Sequence, residues 1–283
     1  MLQKKLIMIK KITLVFITLT LGLASKAQYY YKDIISNNQL LAELAQLKEQ
    51  KIKSVTVSSF EDDGKPSDGF SVEKQINRNY TSVETFSRSN VTGASLFTST
   101  FTKAGLLVQT VDSSDLAVNT SNYFYDDKGR IKSIQSHVHS SDDDFTNEIS
   151  EDHNYEYNAA GVLQKMVRIK NGSDTSIILF SLDETNNISI EKDTKTGKSF
   201  YYYYDTKNRL TDVVHLNQFN QKMLPDYIFE YNNSNQISQM TTTEEGGSYY
   251  YIWKYTYQNG LRISEKCFSK ERRLMGRIEY EYK

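Results

Sequence analysis

His137 and His139 stand two residues apart in a strand-like segment, and Asp142, Asp143 and Asp144 follow in the adjoining turn. Imidazoles and carboxylates in such proximity are the donors that zinc or calcium would need. Two-residue spacing puts both imidazoles on one face of a strand, but His153 lies too far along the return strand to join them. No further ligand has a fixed spacing, so the segment reads as a solvated hairpin tip and no metal residue is assigned. His215 stands alone and reads as a surface or satisfied histidine. Cys267 has no basic activator at a telling distance, so it reads as a small, partly buried thiol. Carboxylates are abundant, yet paired acid chemistry needs a spatial separation that sequence does not supply. With no nucleophile elbow, phosphate loop or zinc signature, no catalytic, cofactor-binding or metal residue is assigned.

The aromatic runs Tyr29–Tyr31, Phe200–Tyr204 and Tyr249–Trp253 are the remaining candidates. In the last two, consecutive aromatics must occupy both faces of a strand. One face then belongs to the core. The other leaves Tyr201, Tyr203, Tyr250 and Trp253 as candidate stacking surfaces for a sugar or an apolar ligand. Cross-strand tyrosine ladders that stabilise a long sheet are the plainer use of the same residues.

The elements that would carry these residues begin after an export signal. Lys4, Lys5, Lys10 and Lys11 precede an apolar run from Ile12 to Leu23, and Ser25-Lys26-Ala27 places small residues at −3 and −1 before Gln28. That is the layout of a cleaved Sec-type signal over residues 1–27, and the run is short for a bilayer span. An uncleaved anchor is the alternative, and Met8 is an alternative start. Residues 1–27 hold five of the 34 Lys and Arg and none of the 35 Asp and Glu, leaving 29 against 35 and a formal charge of −6. No basic footprint for nucleic acid remains, and a single cysteine excludes an intrachain disulfide framework.

The rest is repetitive. Tyr123-Phe-Tyr-Asp-Asp-Lys-Gly-Arg-Ile131 aligns with segments starting at Tyr155, Tyr202, Phe229 and Tyr255, and weaker copies surround Phe60–Gly64, Phe101–Leu107 and Leu182–Ile188. Two aromatics two apart face one side of a strand, with a polar residue often between them. The Asp or Asn that follows starts a turn, and Gly129, Gly161, Asn208 and Asn235 supply a residue that tolerates positive φ. A type I turn with a left-handed residue and a bulge is the hairpin this predicts. The fifth copy has Gly260 one place early, so its turn should differ. Strict alternation from Ile131 would put Ile131, Ser133, Gln135, His137 and His139 on one face. Polar clusters at Ser140–Asp144, Asn171–Asp174, Asp193–Gly197, Asn217–Gln221 and Glu244–Gly247 mark turns at the other end. The expected fold is mainly β: a long antiparallel up-and-down meander of about 14 to 16 strands over residues 53–283, a twisted or curled sheet.

Tyr125-Asp126 with Gly129-Arg130-Ile131 closely resembles the Y-D-x-x-G-R-L core of YD repeats, the units of Rhs-type proteins, and Tyr204-Asp205 with Asn208-Arg209-Leu210 is similar. The resemblance covers roughly residues 97–283. It implies extended hairpin sheets, which in long members form shells around a toxin; here the units are few and no toxin domain is recognisable. The chain resembles short, degenerate exported members from Bacteroidetes-type bacteria.

Residues 28–52 differ. Ser36-Asn-Asn-Gln39 reads as a capping box, and Leu40, Leu41, Leu44 and Leu47 form an apolar stripe, predicting a helix over 37–50 that covers an exposed end or face of the sheet. The functional expectation is an exported, non-enzymatic binding or scaffold protein of the envelope, periplasmic or extracellular. Its partner would be a glycan, an envelope component or another exported protein, with no cofactor, no nucleic acid and no membrane span after signal removal. The alternatives are an outer-membrane β-barrel, suggested by the aromatic last strand Ile278–Tyr282, and a hydrolase whose site assembles across strands.

Overall fold

The computed structural model describes residues 28–140, 148–217, 221–244 and 247–283. The signal expected over 1–27, the Asp142–Asp144 cluster and the middles of the turns near 219 and 245 lie outside the described residues.

A π-helical stretch, Tyr30–Ile35, runs directly into helix α1, Ser36–Glu49. Eighteen antiparallel strands follow among the described residues. They are β1 (Ser54–Glu61), β2 (Ser71–Ile76), β3 (Ser82–Ser89), β4 (Gly93–Phe101), β5 (Leu107–Ser114) and β6 (Ala117–Tyr125). Next come β7 (Ile131–Ser140), β8 (Ile149–Tyr157), β9 (Leu163–Lys170), β10 (Asp174–Leu182), β11 (Ile188–Asp193) and β12 (Ser199–Tyr204). The last six are β13 (Leu210–Leu216), β14 (Met223–Tyr231), β15 (Ile237–Thr243), β16 (Tyr250–Gln258), β17 (Leu261–Ser269) and β18 (Leu274–Tyr282). Each strand pairs with the next, and β18 pairs back onto β1 from Val55↔Tyr282 to Glu61↔Gly276. The meander is therefore a closed barrel with no free edge. The expected count of 14 to 16 is exceeded because residues 54–125, with few aromatic pairs, still alternate regularly enough to form six strands.

The repeat works as a clasp between neighbouring hairpins. Gly129 and Asn208 have φ of +75° and +57°, the left-handed residue that the predicted turn requires. The Asp126 carboxylate accepts the Lys128 and Arg130 backbone N–H groups at 2.9 and 3.0 Å and the Arg130 Nε–H at 2.7 Å. The Arg130 side chain and these backbone donors hold the Asp126 carboxyl down at about 2. Arg130 then reaches the next hairpin, donating to the Gly161 carbonyl at 2.9 Å and lying 4.1 Å from the centre of the Tyr157 ring. Tyr157 donates in return to the Ile131 carbonyl at 2.9 Å. Tyr204, Tyr231, Tyr257 and Tyr282 donate to Ile188, Leu210, Ile237 and Arg262 in the same way. In these five units the second tyrosine is thus an inter-repeat bolt as well as core, whereas the Tyr125 hydroxyl is buried without such a bond. Tyr231→Phe, which removes only the donor to Leu210, should lower the unfolding free energy by about 1 kcal/mol in urea titration. An unchanged midpoint would show that the hydroxyl adds nothing.

A bulge recurs at the start of the strand after each turn of this type. Tyr125 pairs with Ile131 and Phe124 with Ser133, skipping Lys132. The strict alternation expected from Ile131 is overturned. Ile131 and Ile134, three apart, are both buried inside, while Ser133, Gln135, His137 and His139 face out. The same shift turns Leu163 and Met166, Leu210 and Val213, and Ile237 and Met240 inward. Gly260 does change its turn: Asn259 and Gly260 both have positive φ, a two-residue connection, and Arg262 takes the inward slot filled elsewhere by Ile or Leu. The weak copy at Phe60–Gly64 sits at the opposite end of the barrel, between β1 and β2.

The helix has a different start from the one expected. Ser36 is not a cap. The chain is already helical at Tyr30, and Ser36 Oγ donates back to the Tyr31 carbonyl at 3.0 Å. Barrel closure leaves no free strand edge, and the helix packs inside and across one mouth, an end of the sheet as expected. Leu44 packs with Phe101 and Leu107, and Leu47 with Val55, Val57, Val72 and Ile76. Gln50 donates to the Asn259 carbonyl at 2.8 Å and Glu43 pairs with Lys74 at 2.5 Å, while Ala42, Ala45, Lys48 and Glu49 stay exposed.

Candidate functional site: the plugged lumen

The N-terminal segment is a plug held by strands from all round the barrel. Tyr31 stacks on Tyr227 of β14 with ring centres 4.8 Å apart, and Tyr30 meets Tyr202 of β12 edge to face at 5.2 Å. Its polar anchors stand where the repeat normally places aliphatic side chains. The inward slot three residues after the turn's Ile or Leu holds Ile134, Met166, Val213 and Met240 in four units, but Glu191 on β11 and Glu265 on β17.

Glu265 is served by its own wall, from Arg262 Nη1 at 2.9 Å and from the Tyr280 hydroxyl. Glu191 instead receives the plug. Its carboxylate accepts the Tyr29 N–H at 3.0 Å and the Tyr30 N–H at 2.8 Å, with Tyr202 Oη donating at 2.8 Å. These are the unpaired first donors of a helical segment, the positive end of its dipole. Burial pushes the Glu191 carboxyl up to about 7, against the pull of those three donors.

Next to it, His153 on β8 bridges wall and plug. Its Nδ1 lies 2.6 Å from Asp33 Oδ2 of the plug and its Nε2 2.8 Å from Glu151 Oε1. Tyr155 Oη donates to the same Asp33 oxygen at 2.5 Å, and the Tyr29 ring packs edge-on against His153 at 4.8 Å. Burial alone would depress the imidazole, but the two carboxylates outweigh it and raise His153 to about 9. The imidazolium so held is an ion-paired latch. It is enclosed, and both nitrogens are committed, which is unlike a base poised over a substrate.

Towards the other mouth the inward face changes character. Ser87 and Ser95, and Ser121 and Ser136, pair hydroxyl to hydroxyl at 2.8 Å. Asp112, Asn119 and Ser136 face inward and are only partly buried, so this half of the lumen is polar.

At the plugged mouth a cavity of about 290 Å³ opens between the plug and the turns of β10–β11 and β12–β13. Tyr30, Tyr204, Phe229 and Tyr231 line it together with Gln39, Asn187, Asn208 and Arg209.

The residues singled out in sequence are dispersed. Tyr201 and Tyr203 lie on the outer wall of β12, and Tyr250 on the outer wall of β16, four strands away. Trp253 points inward, 6% exposed, in the cluster that holds Leu47 and Cys267. His137 and His139 face outward, and His153 inward. His215 Nδ1 lies 2.8 Å from Asp226 Oδ2. Cys267 is buried, and burial followed by the Glu265 charge pushes its thiol up to about 12. Among the described residues no group of three His, Cys, Asp or Glu side chains is placed to hold a metal. Sequence reasoning passed over Asp33, Glu151 and Glu191. The signal for Glu191 was present, because aligning the repeats puts an acid in an aliphatic slot.

No protein-family model and no curated protein matches the chain. Among solved structures, a chain of the TcdB2-TccC3-TEV crystal structure is 16% identical with a TM-score of 0.34, over 75% of this chain and 12% of that one. One from TcdB2-TccC3-Cdc42 is 11% identical with a TM-score of 0.27, over 83% of this chain and 17% of the other. A porin-like protein from Bacteroides uniformis is 12% identical with a TM-score of 0.34, over 82% of this chain and 98% of that one. This chain thus spans under a fifth of the toxin-complex chains. The likenesses are weak, and the barrel stands on its own strand pairings.

Proposed function

We propose that the chain is an exported, non-enzymatic binding or scaffold barrel of the bacterial envelope, a short relative of YD-repeat proteins that works in water. The observation that carries this reading is the outer wall. Glu84, Lys132, Glu156, Lys192, Glu230, Lys254, Lys266 and Glu279 are exposed within strands around the whole circumference, while the apolar packing lies inside against the plug. A lysine on a lipid face costs about 2–4 kcal/mol at the bilayer midplane, and four are distributed here.

A second reading, the outer-membrane barrel, has support of its own. The chain closes with an even number of strands, and one outward sector is apolar: Val167, Ile177 and Leu179 on β9 and β10, then Ile190, Tyr201 and Val214 on β11 to β13. No helix among the described residues is long and apolar enough to cross a membrane, which says nothing of strands. Expression with the native leader separates the two readings. Release by osmotic shock or into the medium without detergent is expected. Recovery only from detergent-extracted outer membrane would overturn the water-facing barrel in favour of the second reading.

A further inference from the structure

We propose that the cavity at the plugged mouth binds a neutral saccharide unit; this deepens the binding reading above and rests on it. The cavity's flanks are Ile35, Leu210, Phe229 and the tyrosines Tyr30, Tyr204 and Tyr231, the mix of apolar and aromatic surface that the C–H faces of a sugar ring pack against. Its volume of about 290 Å³ lies at the lower end of small-molecule sites, about 300–1,000 Å³.

The polar lining selects for hydroxyls over charge. Arg209 is the one charged side chain in the lining, and it is spent. Its Nε donates to Asp205 at 2.8 Å, its Nη1 to Asn235 Oδ1 at 3.0 Å, and its guanidinium lies 4.4 Å from the centre of the Tyr231 ring. What is left are amides. Asn187 Nδ2 faces Thr185 Oγ1 at 2.7 Å, Asp183 Oδ2 at 3.3 Å and Asn208 Oδ1 at 3.3 Å, while its Oδ1 has no protein partner among the described residues. Asn208 Nδ2 and the exposed Gln39 amide have no protein partner among the described residues. Amides offer a donor and an acceptor side by side, the complement of a vicinal diol. An anionic ligand would find no unpaired cation in the lining, and a purely apolar one would strand these amides.

The site is composite, since Tyr30, Ile35 and Gln39 come from the plug and the rest from the wall. A sugar held there would bridge the two and favour the docked plug.

The test is NMR on the intact mature chain, residues 28–283, with D-glucose, D-galactose, N-acetyl-D-glucosamine and D-glucuronate as probes. At least one neutral sugar at about 10 mM should shift the side-chain amide signals of Asn208 and Gln39. Asn208→Ala and Gln39→Ala should each weaken that binding about tenfold, and His137→Ala on the outer wall should leave it unchanged. Gln39 is exposed on the helix, and because alanine is strained at the φ of +57° of Asn208, Asn208→Gly is the paired variant that removes the amide and keeps the turn. If none of the neutral sugars moves these signals, or glucuronate alone binds, the assignment fails. A chain released without detergent that binds no sugar sinks this proposal and leaves the water-facing barrel standing, whereas recovery only in membrane sinks the water-facing reading first.

Discussion

His153→Gln should destabilise the barrel by about 3 kcal/mol at mildly acidic pH, because it leaves the buried Asp33 and Glu151 carboxylates facing each other without a cation. The variant should also lose part of the pH dependence. In the native chain the His153 pKa is raised from 6.5 to about 9, so the folded state holds that proton more tightly than the unfolded one. Its stabilisation is complete below pH 6.5 and is lost as pH rises through 9. The Glu191 carboxyl is also raised, from 4.5 to about 7, so its contribution falls as pH rises over that lower window. Glu151, held below its usual value by His153 against its own desolvation, acts in the opposite sense and is lost on acidification. Around the imidazole, Tyr29 packs edge-on, Tyr155 shares Asp33 and Arg168 is the cross-strand neighbour, while the charges of Arg168 and Lys32 act on Glu151. Urea midpoints measured below pH 6.5 and above pH 9 give the result directly. The native chain should lose clearly more stability between them than His153→Gln, which keeps only the contributions of groups such as Glu191. Equal slopes in both proteins would show that His153 is not the titrating latch.

Leu47→Ala is expected to cost about 2–5 kcal/mol, the range for deleting a fully buried leucine. Leu47 is 2% exposed and is the helix residue that fills the space between Val55, Val57, Val72 and Ile76. The defect should appear first as a loosened plug. Trypsin should cut faster after Lys48 and Lys51, at the end of α1 and just beyond it, than after lysines within the strands. Ala42→Ser on the exposed face of the same helix is the control and should change neither stability nor cleavage. If Leu47→Ala leaves proteolysis at Lys48 and Lys51 unchanged, the helix is not a separately releasable plug.

Much of the fold was legible because its rule is local. The aromatic pair, the Asp or Asn and the positive-φ residue act within one hairpin, so Tyr123–Ile131 and Tyr202–Leu210 announce their turns without neighbours. The bulge was not visible. Skipping Lys132 depends on how Tyr125 pairs across the hairpin, and that one residue decides whether Ile131 shares a face with Ile134 or with Ser133. The helix was legible from Leu44 and Leu47, but its entry was misread at Ser36, because the residues that prolong it backwards, Tyr30 and Tyr31, are helical by virtue of packing on Tyr202 and Tyr227. The stacking set Tyr201, Tyr203, Tyr250 and Trp253 was assembled from proximity in sequence, and the wall distributes it over two faces and two distant strands.

The sequence by itself determined the hairpin unit, its inward tyrosines and the helix that precedes them, Ser36–Glu49. These depend on period-two alternation and on turn residues, interactions that span a few positions. Tertiary structure alone decided that β18 returns to β1, that the helix lies inside and not along an edge, and that Asp33, His153 and Glu191 meet although they are 120 and 38 positions apart along the chain. Closure is a property of accumulated twist and register over all the strands, and a buried ion pair exists only once that closure has excluded water from around it.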